Sequence, residues 1–498
     1  MNRIAKNTVY LYGRQVLTAL ISLYTSRVVL QALGVTDMGV YNVVGSVVTM
    51  FTFVSGAVSS ATCRFLTFGL GKGDSKWMSD IFECSLLMHL MIAIAVALIL
   101  ETVGVWLLNS SLNIPENRML VANYVLQCLI ITTLIGIVMI PFSAVFGAHE
   151  QMGFTSLISL VNTVMKLGVI IVVSYSSNDR LTLYATLLLI LPVIESLIVV
   201  KTGKRRFREV SLRPRYIKSV FTDMSRYAGW NLAGAIGVMG RNSGVNVIMN
   251  MTCGVVINAS RGLACQVSAQ VMSLAANLQT AFSPQITKRY AMHDEEGMVR
   301  LLMQCCKYSF FLICICSIPL FLKGGYVMRL WLGQVPDYVL EFTLLIMIVE
   351  TIYWVATPIG IAIGATGDNK WYQICMAAIM LLDMPVSYLL LLTGIEPFYA
   401  VYGSIAIAAA AFMVGIALLK RKIAILNIKD IIIQIVRCLI AAFIAIFLCY
   451  FVHNAMEDNL WGVVVISICS LFFTSLMFYL IAIDADERKS IKSVLTRK

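Results

Sequence analysis

Long apolar runs recur along almost the whole chain, and they decide what it can fold into. Fourteen of them are long enough to cross about 30 Å of hydrocarbon as a helix. Inside a bilayer every backbone polar group needs an internal partner, and runs of this length obtain one as helices. Composition agrees, since 59% of the 498 residues are hydrophobic and only 13% are charged. We therefore predict an all-α integral membrane protein of about 14 transmembrane helices.

The predicted helices form three groups separated by polar segments. Six runs come first, six follow the basic segment 201–223, and two more come after residue 419. We predict an N-lobe at 1–202, a basic cytoplasmic linker at 203–223, a C-lobe at 224–419, and helices 13 and 14 with a basic tail at 420–498. The runs are 9–33, 40–68, 80–107, 120–147, 151–175, 180–202, 224–251, 254–284, 299–322, 340–364, 371–393, 398–419, 431–452 and 460–483.

The two six-helix lobes show signs of duplication. Each lobe has an even number of helices, so a duplication would give a parallel repeat about an axis along the membrane normal. The predicted architecture is two pseudo-symmetric lobes and two C-terminal helices around a central cavity. Identical residues at an offset of 216 positions include Gly13 with Gly229, Val40 with Val256, and Asn42 with Asn258.

The distribution of Lys and Arg predicts the orientation. Segments on the side of the N-terminus carry 24 of these residues, and the opposite segments carry four. Positive charge concentrates in cytoplasmic loops, so we expect both termini in the cytoplasm. Membrane topology therefore accounts for the net charge of +12. Because this charge needs no nucleic-acid partner to explain it, we predict none.

Cations inside the apolar runs are the strongest functional signal. A guanidinium in hydrocarbon costs at least about 2.5 kcal/mol on insertion scales, so a repeated placement favours a water-filled cavity that receives an anion. Cations near the helix ends have the alternative of reaching the head groups, whereas Arg241 and Lys166 are too deep for that. The full set is Arg14, Arg27, Arg64, Lys166, Arg241, Arg261 and Lys307.

Polar residues repeat at helical spacing on the predicted helices 1, 2, 7 and 8. Gln266, Gln270 and Ser273 begin a stripe on one face of helix 8, and Asn42 and Asn246 lie on similar faces of helices 2 and 7. Side chains of this kind also form ordinary contacts between helices, worth about 0.6 kcal/mol each. Their occurrence on matching helices of both lobes favours the walls of a cavity.

Three carboxylates lie inside the later helices of the lobes, at Glu195, Glu350 and Asp383. They are candidates either for buried structural ion pairs with Lys166 or another cation, or for binding a coupling cation such as Na⁺ or H⁺. The sequence leaves both open. Asp383 is followed by Met384 and Pro385, which predicts a locally broken helix, a common device of transporters.

The sequence shows no sign of enzymatic activity, and we predict that the protein is not an enzyme. It contains no G-x-x-x-x-G-K-[ST], H-E-x-x-H or G-x-S-x-G motif. The thirteen cysteines are scattered through apolar runs without metal-ligand spacing, where cysteine behaves as a small apolar residue. We therefore predict no catalytic residues, no metal and no cofactor.

Several short motifs resemble one family. They are GVTDMGVYNVVGSVV at 34–48, RFLTFGLGKGD at 64–74, LWLGQVPDY at 330–338 and GATGDNKWYQ at 364–373. With two lobes of six helices and two appended helices, they resemble the oligosaccharide-lipid and polysaccharide flippases of the multidrug/oligosaccharidyl-lipid/polysaccharide exporter superfamily. The drug-exporting branch tends to carry acidic residues on its cavity helices, and the predicted spans 1, 2, 7 and 8 have none.

The resemblance implies a function, a substrate and a set of contacts. It implies a flippase that moves undecaprenyl-diphosphate-linked oligosaccharide across a bacterial plasma (inner) membrane for surface polysaccharide synthesis, with membrane lipids and polysaccharide-assembly proteins as partners. The alternatives are a cation-coupled multidrug exporter and a non-transporting scaffold. The resemblance assigns the diphosphate to Arg14, Arg27, Arg64, Arg241 and Arg261. The predicted sugar contacts are Asn42, Asn246, Asn258, Gln266 and Gln270.

Overall fold

The computed structural model describes residues 2–49, 53–110, 114–176, 179–333, 335–484 and 487–488. Every regular element in these ranges is helical. By its internal contacts the chain divides into two compact units, Met1–Leu232 and Ala233–Lys498. The predicted boundaries of the lobes and the central cavity between them stay predictions.

Unit 1 is built around one long apolar helix. Helix α5 packs against α1, α2, α3 and α7, while α6 packs mainly on α1. Because α5 is apolar around its circumference, it supplies Val125 to one buried cluster and Phe142 to another. The ring centroid of Phe142 lies 5.2 Å from that of Phe82 on α3. The helices are α1 (Asn2–Thr49), α2 (Phe53–Lys72), α3 (Ser75–Ile99), α4 (Val105–Ser110), α5 (Met119–Ala148), α6 (Met152–Ser174) and α7 (Arg180–Arg206).

Unit 2 has the same kind of organisation around α11. This helix packs against α9, α10 and α14, and the last two helices, α15 and α16, pack on α10. Helix α8 contains the boundary between the units. The helices are α8 (Lys218–Met239), α9 (Val245–Ala291), α10 (Glu295–Leu332), α11 (Val339–Thr366), α12 (Lys370–Leu381), α13 (Asp383–Leu392), α14 (Ala400–Lys422), α15 (Ile428–Asn454) and α16 (Leu460–Met477).

Helix starts are fixed by capping side chains. Asp74 accepts a hydrogen bond from the backbone N–H of Trp77 at 2.9 Å, and Asp294 accepts one from Gly297 at 2.9 Å. Such caps satisfy N–H groups that have no partner within the helix. Asp179, Asn427 and Asn459 cap α7, α15 and α16 in the same way.

Ten helical segments of the described ranges are long and apolar enough to cross a membrane. They correspond to the predicted spans other than the first, second, seventh and eighth. The described residues of those four spans are helical too, within α1, α2, α8, α9 and the short π-helix Gly240–Gly244. These spans carry the polar stripes and five of the seven cations named above. The chain is thus an all-α, multi-pass membrane protein, as predicted.

Bends occur where the sequence predicts boundaries between spans. Helix α1 kinks at Gly34, whose φ of 77° lies in the left-handed region that glycine tolerates. On α9, Arg261 hydrogen-bonds Asn246. A straight helix would separate residues 15 positions apart by about 22 Å, so α9 bends between them, around the predicted boundary at 252–253.

The interruption predicted near Asp383 is present, but it is confined to Leu382, whose backbone keeps right-handed helical angles (φ −62°, ψ −19°). Helix α12 ends at Leu381 and α13 begins at Asp383. Pro385 has no N–H, so the carbonyl of Leu381 loses its helical partner at this point. The break leaves Asp383 in the first turn of a new helix inside one membrane-length segment, Lys370–Leu392.

Candidate functional site

A small polar cavity lies in the interior of unit 2. Its volume is about 40 Å³, enough for a few water molecules, since one needs about 10–15 Å³. Helices α9, α11, α13 and α14 form its walls, together with the short π-helix Gly240–Gly244. The charged side chains that line it are Arg241, Arg261, Glu350 and Asp383.

Arg241 lies on the π-helix between α8 and α9. A π-helical turn is often associated with a functional position. The Arg241 side chain is 7% exposed, and its Nη2 donates to Oε1 of Glu350 at 2.7 Å. Its guanidinium lies 4.3 Å from the ring centroid of Tyr353. The buried Nε–H of Arg241 has no hydrogen-bond partner among the described residues, so one strong donor is left for water or a ligand.

Arg261 reaches the same cavity because α9 bends. It is 8% exposed, and its guanidinium donates to the side-chain oxygen of Asn246. The structure therefore brings together Arg241, Arg261 and Asn246, three of the predicted substrate-binding residues.

Asp383 approaches the cavity from the broken helix. It is 3% exposed and accepts a hydrogen bond from Ser404 of α14 at 2.6 Å. With both acids ionised, the two arginines of the cavity are balanced by Glu350 and Asp383. The cavity therefore contains an ion pair and one unsatisfied donor. An incoming anion could compete for the arginine of this pair, and an incoming cation could compete for its carboxylate. Among the described residues, no group of three or more His, Cys, Asp or Glu side chains could hold a metal ion.

The predicted arginines of unit 1 have other surroundings. Arg64 lies against aromatic rings, 4.6 Å from the centroid of Phe65 and 5.6 Å from that of Tyr227, where cation–π attraction stabilises it. Arg14 lines a separate cleft near the start of α1. The side chains of Arg27, Asn42 and Asn258 fall outside the described part of the structure.

The remaining candidates are not brought to the cavity. Gln266 and Gln270 are exposed on α9 and do not line the cavity, although the neighbouring Cys265 does. Glu195 in unit 1 accepts a hydrogen bond from Asn162, and Lys166 is exposed. In the described ranges, Lys166 forms no ion pair with Glu195. The predicted pairing of a carboxylate with a cation is seen instead between Glu350 and Arg241.

Two partners of the charged residues in the cavity were missed by the sequence analysis, Tyr353 beside Arg241 and Ser404 beside Asp383. Tyr353 follows Glu350 by three positions and so lies on the same face of α11, a spacing that was readable from the sequence. Ser404 had no such signal, because it comes from a different helix and is recognised only by its hydrogen bond to Asp383.

The fold is shared with solved transporter structures. No protein-family model matches the sequence, and no curated protein matches it. A MOP superfamily transporter from Pyrococcus furiosus matches with a TM-score of 0.68 and 13% identity, over 84% of this chain and 95% of that one. An outward-facing multidrug resistance MATE family transporter of the same superfamily matches with a TM-score of 0.68 and 13% identity, over 85% and 95%. MATE in a bent conformation matches with a TM-score of 0.70 and 14% identity, over 85% and 96%.

This chain has the fold of those transporters. The match covers nearly the whole of each solved structure, and it leaves about a sixth of this chain outside. At such low identity the likeness concerns the fold and carries no residue roles.

Proposed function

We propose that the protein is a flippase for lipid-linked oligosaccharides. Its substrate would be an undecaprenyl-diphosphate-linked oligosaccharide, moved to the outer leaflet of a bacterial inner membrane for surface polysaccharide synthesis. The observation that carries this proposal is the pair of buried arginines, Arg241 and Arg261, lining one polar cavity within a membrane-embedded unit.

The geometry supports an exchange of partners at Arg241. A diphosphate needs more room than the about 40 Å³ of this cavity, so the helices around it would have to separate during transport. A phosphate oxygen would then compete with Glu350 for the guanidinium, and the Nε–H of Arg241 would offer a further donor. Arginine binds phosphate oxygens through two parallel hydrogen bonds. Because Glu350 takes the guanidinium back when the substrate leaves, binding stays reversible.

Transport would follow an alternating-access cycle of the two lobes. The chain has no nucleotide-binding motif, so the proposed energy source is an ion gradient or the membrane potential. Displaced Glu350 would then be free to bind H⁺ or Na⁺, with Asp383 or Glu195 as further candidates. Polysaccharide-assembly proteins that supply and consume the lipid-linked oligosaccharide are the proposed partners.

A cation-coupled multidrug exporter is the second candidate. Two carboxylates, Glu350 and Asp383, line the same cavity as the arginines, and acidic groups are what a cationic drug requires. Solved transporters with this fold include a multidrug resistance protein. Another is a transporter for which the reverse polarity of the binding pocket suggests a different function.

Two substitutions separate these candidates. For a flippase, we expect Arg241→Ala to lower transport by at least about ten-fold, because a hydrogen bond to a charged group contributes about 1.5–3 kcal/mol. For an exporter, we expect Glu350→Gln to abolish efflux and Arg241→Ala to spare it. Transport is measured in proteoliposomes, with a lipid-linked oligosaccharide exposed to an external glycosidase in one assay and a fluorescent cationic dye in the other.

Arg329→Ala is the matched control, because this arginine is exposed at the end of α10. The folded fraction of each variant is checked by thermal unfolding before transport is compared. If Arg241→Ala flips the lipid at the wild-type rate, the flippase proposal fails. A scaffold protein would be indifferent to both substitutions in both assays.

A further inference from the structure

A second cleft, in unit 1, has the features of a binding site. It lies between the first turns of α1 and the first turns of α6, with the α5–α6 turn at its base and the end of α7 beside it. Its volume is about 1060 Å³, at the upper end of the range of about 300–1,000 Å³ typical of small-molecule sites. The residues used below are Asn7, Tyr10, Arg14, Gly153, Ser156 and Arg206.

Two arginines give the cleft its charge. Arg14 makes no ion pair with any described residue, so its charge is uncompensated by direct contact. Arg206 donates to the side-chain oxygen of Gln151 at 2.8 Å, a neutral partner that leaves its charge uncompensated as well. Glu150 is the one carboxylate that lines the cleft, so the cations are in excess.

The histidine of the cleft already has an acidic partner. Nε2 of His149 lies 2.5 Å from Oε1 of Glu209. Burial raises the pKa of the Glu209 carboxyl. The hydrogen bond with His149, a backbone hydrogen bond and the charge of His149 together outweigh burial and hold this pKa below its ordinary value. His149 and Glu209 thus form a closed pair, and the net attraction for an anion comes from the arginines.

Two buried polar groups in the cleft have no protein partner. Asn7 is 5% exposed and Ser156 is 6% exposed. The Nδ2 of Asn7 and the Oγ of Ser156 make no hydrogen bond to any described residue. A buried polar group without a partner costs about 1–3 kcal/mol. A side-chain rotation that turns either atom towards the cleft would therefore let it hydrogen-bond a ligand.

We propose that this cleft binds the phosphate-bearing head group of a glycosylated molecule, at a site separate from the cavity of unit 2. The phosphate oxygens accept hydrogen bonds from Arg14 and Arg206, and sugar hydroxyls pair with Asn7 and Ser156. The ring of Tyr10 provides an apolar wall. The charge distribution predicts this end of unit 1 to be cytoplasmic, so the cleft is a docking site ahead of translocation. That role rests on the proposed function, whereas binding itself does not.

The volume of the cleft can be changed without touching its charges. A Cβ added at Gly153 would lie 2.9 Å from Cε2 of Tyr10, whereas one added at Gly168, on the same helix, would meet no atom within 4 Å. Gly153→Val therefore pushes Tyr10 and narrows the cleft. Gly168→Val is the matched control. Arg206→Gln removes a charge instead, so the test does not depend on the folding of one variant.

Equilibrium binding is measured on the full chain in nanodiscs of phosphatidylcholine. One probe is soluble uridine-diphosphate N-acetylglucosamine, and the other is undecaprenyl diphosphate carrying a disaccharide, added to the nanodisc. We expect the wild type and Gly168→Val to bind at least one probe with the same Kd. We expect Arg206→Gln and Gly153→Val to weaken that binding by about ten-fold or more.

The probes decide the source of the ligand. Binding of the lipid alone identifies a membrane-borne substrate, and binding of the soluble probe alone identifies a sugar nucleotide or free sugar phosphate. The proposal is overturned if the wild type binds neither probe, or if Arg206→Gln and Gly153→Val bind like the wild type. Binding is measured without translocation, so the two proposals can fail separately. A protein that does not flip the lipid could still bind a probe in this cleft, and a flippase could lack this second site.

Discussion

Lys307 illustrates how a charge is accommodated inside unit 2. It is 2% exposed on α10, and its Nζ pairs with Glu487 and donates to the carbonyl of Ala482 at 3.3 Å. Glu487 is itself only 8% exposed. Removing one member of such a buried pair typically costs about 3–5 kcal/mol, because the other charge is left uncompensated. We therefore expect Glu487→Gln to lower the midpoint of thermal unfolding in detergent.

The double variant Lys307→Met with Glu487→Leu tests the reason for that loss. Apolar residues in place of a buried pair are often neutral or stabilising, so we expect it to recover most of the stability. Arg289→Gln, which breaks an exposed pair with Asp294, should change little. A double variant no more stable than Glu487→Gln would contradict the account.

Side-chain depth was predictable at the scale of single residues, but side-chain partners were not. The position of Arg241 in an apolar run placed it correctly in the protein interior. Its partner Glu350 is 109 residues away, and nothing local to either residue indicates the pair. Arg64 is a second case in which the partners were not predicted. The resemblance made it a candidate for phosphate binding, but its guanidinium lies against aromatic rings.

Close packing of two helix backbones fixes the position of α8 beside α12. A Cβ added at Gly237 would lie 2.5 Å from Cα of Ala377, whereas one added at Gly229, on the same helix, would meet no atom within 4 Å. We expect Gly237→Ala to destabilise the protein by about 1–3 kcal/mol, as forced overpacking does. Gly229→Ala should be neutral or slightly stabilising, because alanine is the better helix former. Thermal unfolding of both variants checks this, and equal midpoints would contradict it.

The helices were predictable as elements, while the geometry within them was predictable only in part. Hydrophobic runs define segments because burial in lipid is a property of the local sequence. The break at Leu382 could be foreseen from Pro385, since the missing N–H is also local. The π-helix that carries Arg241 was not foreseen, and the bend that brings Arg261 to Asn246 depends on packing between distant turns.

Turns at matching places in the two units have similar backbone conformations, as the predicted duplication requires. The caps Asp74 and Asp294 begin the corresponding helices α3 and α10, and each follows a residue with left-handed φ, Gly73 at 72° and His293 at 59°. Glu150 lies in the α5–α6 turn and has a φ of 59°. Its counterpart Gly367, in the α11–α12 turn, has a φ of 85°. The residues at these turns differ between the units, because a turn can keep its backbone conformation with different residues.

The orientation of the whole molecule is predicted from its charge distribution. The excess of Lys and Arg predicts that the segment after α7 is cytoplasmic and the end of α10 is external. Single cysteines replace the exposed residues Lys204 and Arg329 in a protein stripped of its native thiols. With a membrane-impermeant thiol reagent, we expect intact cells to label position 329 and inverted vesicles to label position 204. The opposite pattern would invert the molecule, and the cleft at Arg14 and Arg206 would then face the outside, where it could not load a substrate made in the cytoplasm.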